Sequence, residues 1–327
     1  MIEEIRSGIY RMEIPLPRNP LKALNAYLIR GRGRNLLVDT GFNWPECRAA
    51  LLAGLKKVGV NLAAVDFFIT HMHADHSGLV YELAAEGSAV YSSEADARLI
   101  QETMTADHWQ EVGAYYCRHG FSSISISNPK KFIRSYISGC EMDFTYVEDG
   151  CTLEVGEYRF SCISTPGHTP GHMCLYEPGQ RLLIGGDHIL ADITSNITSW
   201  KGFRDSLGQY LNSLDRIDGL EVDLVLPGHR GILDNCRERV RQLKSHHQQR
   251  LHEILAILEQ GAMNAHQVAS QMEWDLAYDS WEQFPTYQQW FAVGEAISHL
   301  EHLIEQRRVR SLEQGGKLFF ELIDQSA

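Results

Sequence analysis

Four times between residues 67 and 229, a short apolar or glycine-rich run breaks off at histidine or aspartate. Phe67-Phe68-Ile69 leads into Thr70-His71-Met72-His73-Ala74-Asp75-His76-Ser77-Gly78, Thr165-Pro166-Gly167 ends at His168, Gly185-Gly186 at Asp187, and Pro227-Gly228 at His229. Each break follows a segment that reads as a strand, and in the last three Gly or Pro lets the chain turn tightly there. A metal-binding side chain thus stands at each strand end, where a rigid scaffold holds it while the loop beyond can vary. In an extended segment residues two apart point to the same side, so His71 and His73 can share one ion. Imidazole with carboxylate is the donor set of zinc, and also of iron or manganese. The donors divide into His71, His73 and His168 for one ion and Asp75, His76 and His229 for a second, with Asp187 free to bridge. Two divalent metal ions, zinc ahead of iron or manganese, are the expected cofactor.

The surrounding pattern is α/β. Strand candidates cover residues 8–14, 25–30, 35–38, 67–70, 89–92, 145–147, 159–165, 173–177, 181–185 and 224–227, with helices over 45–58 and 77–85, the latter capped by Ser77. Such alternation predicts layered sheets with helices outside. A helical, aromatic-rich insertion occupies about 94–139, with Trp109, Tyr115, Tyr116, Phe121, Phe132 and Tyr136 and a serine-rich stretch at 122–127. It reads either as a packed insertion or as a lid over a site. Residues 1–240 form one expected domain and 241–327 a second.

That second region predicts helices over 243–260, 265–271 and 290–306, then a hairpin turning at Gly315-Gly316. Three helices and a hairpin are the order of a winged helix, which often binds DNA through its third helix. Residues 241–327 carry seven Lys or Arg against twelve Asp or Glu, and an acidic recognition helix would repel phosphates. Packing or homodimer formation is therefore the expected role. The net charge of −12 also argues against nucleic-acid partners generally. No run approaches the roughly 18–20 apolar residues of a membrane span. An acidic, strand-like start and seven cysteines without a Cys-x-x-Cys pair point to a cytoplasmic protein. His246, His247, His252, His266, His299 and His302 fall on helix faces that read as solvated.

The ordered set Val38-Asp39-Thr40-Gly41, His-x-His-x-Asp-His at 71–76, Pro166-Gly167-His168-Thr169-Pro170-Gly171-His172, Gly186-Asp187 and Pro227-Gly228-His229 resembles the metallo-β-lactamase-fold hydrolase superfamily across residues 8–235. The resemblance implies an αβ/βα sandwich, two facing mixed β-sheets flanked by helices with the metals at one edge. It extends to a subgroup with a C-terminal helical, winged-helix-like domain. It implies the ligand roles given above and makes Asp39 a carboxylate that orients the metal loop from behind. His172 reads as a loop support, and His188 as either a donor to a substrate oxygen or a packed ring.

Departures narrow the chemistry. The second trio contains no cysteine, unlike many β-lactamases of the fold, and His73 stands where oxygen-reducing diiron members carry Glu. Leu190 occupies a position where lactonases commonly have Tyr, which weakens that branch. Two metals about 3.5–4 Å apart can hold a bridging water and lower its pKa towards 7. The expected activity is hydrolysis of an ester, thioester or lactone of a small molecule, with Asp75, Asp187 and His188 as catalytic candidates. A metal-dependent ribonuclease, and a non-catalytic winged-helix sensor or DNA-binding protein, are the alternatives.

Overall fold

The computed structural model describes residues 1–121, 136–137, 142–275 and 278–324. The first sheet runs in sequence order through β1 (Ile2–Arg6), β2 (Ile9–Pro15), β3 (Ala23–Ile29), β4 (Asn35–Val38), β5 (Val65–Phe68), β6 (Val90–Ser92) and β7 (Thr145–Tyr146). It is antiparallel up to β4 and parallel from there to β7. The second sheet contains β8 (Thr152–Val155), β9 (Tyr158–Ser164), β10 (Met173–Glu177), β11 (Leu182–Gly186) and β12 (Leu224–Pro227), in the order β12-β11-β10-β9-β8.

Period-two alternation builds the layers. In β4, Leu36 and Val38 enter the core between the sheets while Leu37 enters the core on the outer face, and in β5 Phe68 and Phe67 divide the same way. Such strands are buried on both faces, which is why they read as continuous apolar runs. Between the sheets, Ile9, Tyr27 and Ile29 meet Phe160, Leu175, Ile184 and Leu226. Outside the first sheet lies α1 (Pro45–Lys57), which presents Cys47, Leu51 and Leu55. Outside the second, one core joins its strands to the later helices, so the section is helix, sheet, sheet, helix. Removing one such core leucine, as in Leu51→Ala, costs about 2–5 kcal/mol.

Between 74 and 83 the expected single helix is two short ones, α2 (Ala74–Ser77) and α3 (Val80–Leu83). Ser77 is not the cap: it is buried inside α2, and its Oγ donates to the carbonyls of Met72 and His73. That back-bonding tightens the turn carrying Asp75 and His76. The insertion contains α4 (Glu94–Glu102) and α5 (Ala106–Arg118). Its Phe132 and the stretch 122–127 lie outside the described residues. The sequence reading lacks α6 (Ser206–Asp218), although Leu207, Tyr210, Leu214 and Ile217 bury one helical face.

The C-terminal part comprises α7 (Cys236–Leu258), which runs through residue 240, then α8 (Ala265–Ala269), α9 (Thr286–Glu305) and the hairpin of β13 (Val309–Gln314) and β14 (Lys317–Leu322). Residues 292–300 of α9 are buried. Tyr116 of α5 stacks on Trp290 of α9 with ring centres 5.0 Å apart, and Tyr115 donates to Glu301. The described part of the insertion is thus fastened to this region. His247 and His299 correct the expectation of solvated faces: both are fully buried, with Nδ1 of one 3.1 Å from Nε2 of the other. No helix among the described residues is long and apolar enough to cross a membrane.

Candidate metal centre

All the expected donors meet at one rim of the sandwich, in the turns that follow β5, β9, β11 and β12. His71 Nε2 and His168 Nε2 lie 3.1 and 3.0 Å from His73 Nδ1. His229 Nε2 is 3.3 Å from Asp75 Oδ2, and His76 Nε2 is 3.9 Å from the same oxygen. Asp187 stands between the two trios, with Oδ1 3.4 Å from His76 Nε2 and Oδ2 3.8 and 3.6 Å from the Nε2 atoms of His168 and His229. Gly228 makes this approach feasible, since a Cβ there would sit 2.5 Å from Asp187 Oδ1 and 2.8 Å from His76 Cε1.

Four imidazoles are tethered through Nδ1, which leaves Nε2 for the centre. His76 is held by Asp39 Oδ2 at 2.7 Å, His168 by the Asn196 carbonyl at 2.8 Å and His229 by the Ala23 carbonyl at 2.7 Å. His71 Nδ1 lies 3.0 Å from Thr70 Oγ1, and that hydroxyl lies 2.9 Å from Asp39 Oδ2. Asp39 therefore orients His76 directly and His71 through Thr70. Its φ of 60° is a left-handed conformation uncommon outside glycine. His172 Nε2 accepts from the Asp187 backbone N–H at 3.2 Å, and its Nδ1 meets Thr165 Oγ1 at 2.8 Å. His188 is fully buried, its ring 5.1 Å from Tyr210 and 6.0 Å from His172.

Charge is divided unevenly. Burial first, then the neighbouring rings, hold His71 well below the ordinary imidazole range and bring His73 down to about 3. Burial lowers His168 as well. Burial also acts downward on His76, yet Asp187, Asp39 and Asp75 outweigh it and raise that imidazole well above its usual value. Against the same burial, Asp187 and Asp75 raise His229. Burial pushes Asp75 and Asp187 upward, but the opposing histidines prevail: Asp75 falls to about 2 and Asp187 lies well below the usual carboxylate range.

The donor set fits divalent ions. Two ligands each about 2.0–2.1 Å from a tetrahedral zinc lie about 3.3 Å apart, close to the separations here. Among the described residues, His76 Nε2, His229 Nε2 and Asp187 Oδ1 are buried without a hydrogen-bond partner, and each such atom costs about 1–3 kcal/mol if left so. A cation at their common focus relieves all three.

The model of the metallo-beta-lactamase superfamily matches residues 21–114 and 154–229, over half of the chain and all seven donors. This chain belongs to the metallo-beta-lactamase superfamily. Among its superfamily relatives, the probable metallo-hydrolase YqjP of Bacillus subtilis (strain 168) is 26% identical over 311 residues, covering 90% of this chain and 92% of that protein. The acyl-coenzyme A thioesterase MBLAC2 of Homo sapiens is 23% identical over 211 residues, 63% of this chain and 72% of its own. The crystal structure of a metallo-beta-lactamase family protein from Thermus thermophilus aligns with a TM-score of 0.84 at 28% identity, covering 98% of this chain and all of that one. The architecture shared with this superfamily member therefore extends past residue 229 into the C-terminal helices and hairpin.

Beyond Asp39 and His172, the motifs did not disclose the outer supports of the centre. Thr70 precedes His71 as an ordinary strand residue, and Asn196 acts through its backbone carbonyl, which any residue supplies. Trp200 donates from Nε1 to the His168 carbonyl at 3.1 Å and lies with its ring centre 6.0 Å from that of His73; nothing in its sequence surroundings marks it.

Proposed function

We propose that this chain is a dinuclear-metal-dependent hydrolase that cleaves the acyl bond of a small ester, thioester or lactone, with thioesters foremost. The observation that carries this reading is the convergence of seven donors at one rim, three of whose inward atoms, His76 Nε2, His229 Nε2 and Asp187 Oδ1, are buried without a hydrogen-bond partner among the described residues. The thioesterase named among the relatives supports the order of substrates. In this reading His71, His73 and His168 hold one ion, Asp75, His76 and His229 a second, and Asp187 stands between them. Such ions, when bound, lower the pKa of water towards neutrality and polarise a carbonyl oxygen.

The residues of the chain do the rest. Asp39 and Thr70 fix the rings of His76 and His71, so the donors need not reorganise during turnover. Asp187, held unprotonated by the flanking imidazoles, orients an attacking water and accepts its proton at a carboxylate oxygen. Asp75 fixes the carboxylate side of the second trio. The C-terminal region, winged-helix-like in element order, serves packing in this reading, because the central residues of α9 are buried.

The test is a hydrolysis panel on the zinc- or manganese-loaded protein, with acyl-coenzyme A thioesters followed by thiol release beside aryl esters, lactones and a phosphodiester. Thioester cleavage that disappears on chelation and returns with metal is expected. Unchanged cleavage by metal-stripped protein, or cleavage of the phosphodiester alone, would overturn the reading.

A further inference from the structure

Asp96 belongs to none of the metal-binding motifs. It sits in the first turn of α4, after Ser93, whose Oγ accepts from the Asp96 backbone N–H at 3.2 Å. An acid at this position ordinarily faces solvent and favours the helix N-terminus. Here its side chain turns inward and is fully buried. Among the described residues no basic side chain forms an ion pair with it, and burying an unpaired carboxylate is costly unless other donors satisfy it.

Three donors do so, and they come from the two loops that carry the first trio. Asp96 Oδ2 accepts from the backbone N–H of Met72 at 2.8 Å, between His71 and His73, and from Thr169 Oγ1 at 2.6 Å, next to His168. Oδ1 accepts from the backbone N–H of Gly171 at 2.7 Å. Gly171 is itself shaped to this contact: a Cβ there would lie 2.7 Å from Asp96 Oδ1 and would collide with Ser93 Oγ. A single carboxylate thus joins loops almost a hundred residues apart in sequence.

We propose that Asp96 is a positioning residue of the metal centre, a buried clamp that sets the spacing of His71 and His73 against His168. The role rests on the reading of this rim as a metal site. A carboxylate suits it because its two oxygens accept all three bonds at once, whereas an amide presents one acceptor and turns a donor towards another donor.

The test uses the full chain, stripped of metal and then titrated with Co²⁺ or Zn²⁺ alone. Asp96→Ala is expected to weaken one of the two ions about 10–100-fold, the range typical of groups behind metal ligands, and to change the visible d–d spectrum of the cobalt form. Asp96→Asn and Thr169→Val are expected to weaken it less, in the same direction. Glu94→Ala, an exposed acid of the same helical turn, leaves affinity and spectrum unchanged. With a substrate in hand, kcat falls in Asp96→Ala while KM holds.

Wild-type affinity and an unaltered cobalt spectrum in folded Asp96→Ala would overturn the proposal. If that variant does not fold, unaltered metal binding in both Asp96→Asn and Thr169→Val overturns it equally. A wild-type chain that binds neither metal sinks the functional reading with it; a wild-type chain that binds two, beside an indifferent Asp96→Ala, sinks the clamp alone.

Discussion

The two donor trios share Asp187 but hang from different parts of the molecule. Asp75, His76 and His229 are supported from the first forty residues: Asp39 holds His76, the Ala23 carbonyl holds His229, and Asn25 and Tyr27 donate to the Pro227 carbonyl at 3.1 and 2.7 Å. His71 shares Asp39 through Thr70, but its trio with His73 and His168 depends also on later segments. Besides Asp96 in the insertion, it relies on the 196–200 loop, which α9 secures through Glu295, Ser298 and Glu301. The trios differ in charge too, since three imidazoles lowered by burial face a carboxylate-rich set whose histidines are raised. The second position rests on contacts between β3 and the turn after β12, whereas the first also needs the insertion and α9 to dock, so damage to the C-terminal region is transmitted to the first trio before the second.

The strongest way to break the comparison removes one donor from each side. His168→Ala and Asp75→Ala are each expected to lower turnover by more than about 100-fold, beyond the 10–100-fold typical of supporting groups. Metal content falls from two ions to one in both variants, with the complementary trio still loaded; elemental analysis of the purified variants reads this. Loss of both ions from either variant would show that the trios do not fill separately. Next comes Asp39→Ala, which touches both trios and is expected to cost about 10–100-fold in metal affinity, whereas Thr70→Val loosens His71 alone and costs less. Competition with a chromophoric chelator measures the two side by side.

The charge difference yields a pH dependence in the metal-free protein. His73, at about 3 when folded against about 6.5 unfolded, binds more protons unfolded across that interval. Its stabilising contribution is therefore complete above pH 6.5 and is lost as the pH falls towards 3. His76 and His229 are raised, so theirs is complete below 6.5 and is lost as the pH rises through their folded values. Urea midpoints recorded in chelator are expected to decline less steeply below pH 6.5 in His73→Gln than in the wild type. An identical slope would remove His73 from the account. The smallest effect is expected of Asn196→Ala, which keeps the carbonyl on His168 but loses the side-chain bond to Glu295. About 1 kcal/mol of stability and a few-fold drop in kcat at unchanged KM would follow, with thermal unfolding and steady-state kinetics as the checks.

Much of the rim was legible because its donors follow strands, and strand ends announce themselves through apolar runs that stop at Gly or Pro. His168, Asp187 and His229 all sit in such places, and His71 follows the apolar run Phe67-Phe68-Ile69 through Thr70. Helix α6 was readable by the same logic from Leu207, Tyr210, Leu214 and Ile217, yet Gly208 and the polar Asn212 and Ser213 interrupt the run enough to disguise it. Ser77 misled because a serine before an apolar stretch fits a cap, while its hydroxyl in fact bonds backward. His247 and His299 looked solvated because their polar neighbours along the chain conceal which face turns inward.

The sequence by itself determined the layered α/β class and the order of the candidate metal donors along the chain, since periodicity and turn chemistry act over a few residues. Tertiary structure alone decided how those donors divide their protons, which carbonyl or carboxylate steadies each ring, and that an acid at the start of α4 faces the metal loops and not solvent. Those outcomes depend on burial and on contacts between residues up to about two hundred positions apart, such as His229 with Ala23. Free energies of that kind arise where segments meet in space, and no local pattern in the chain records them.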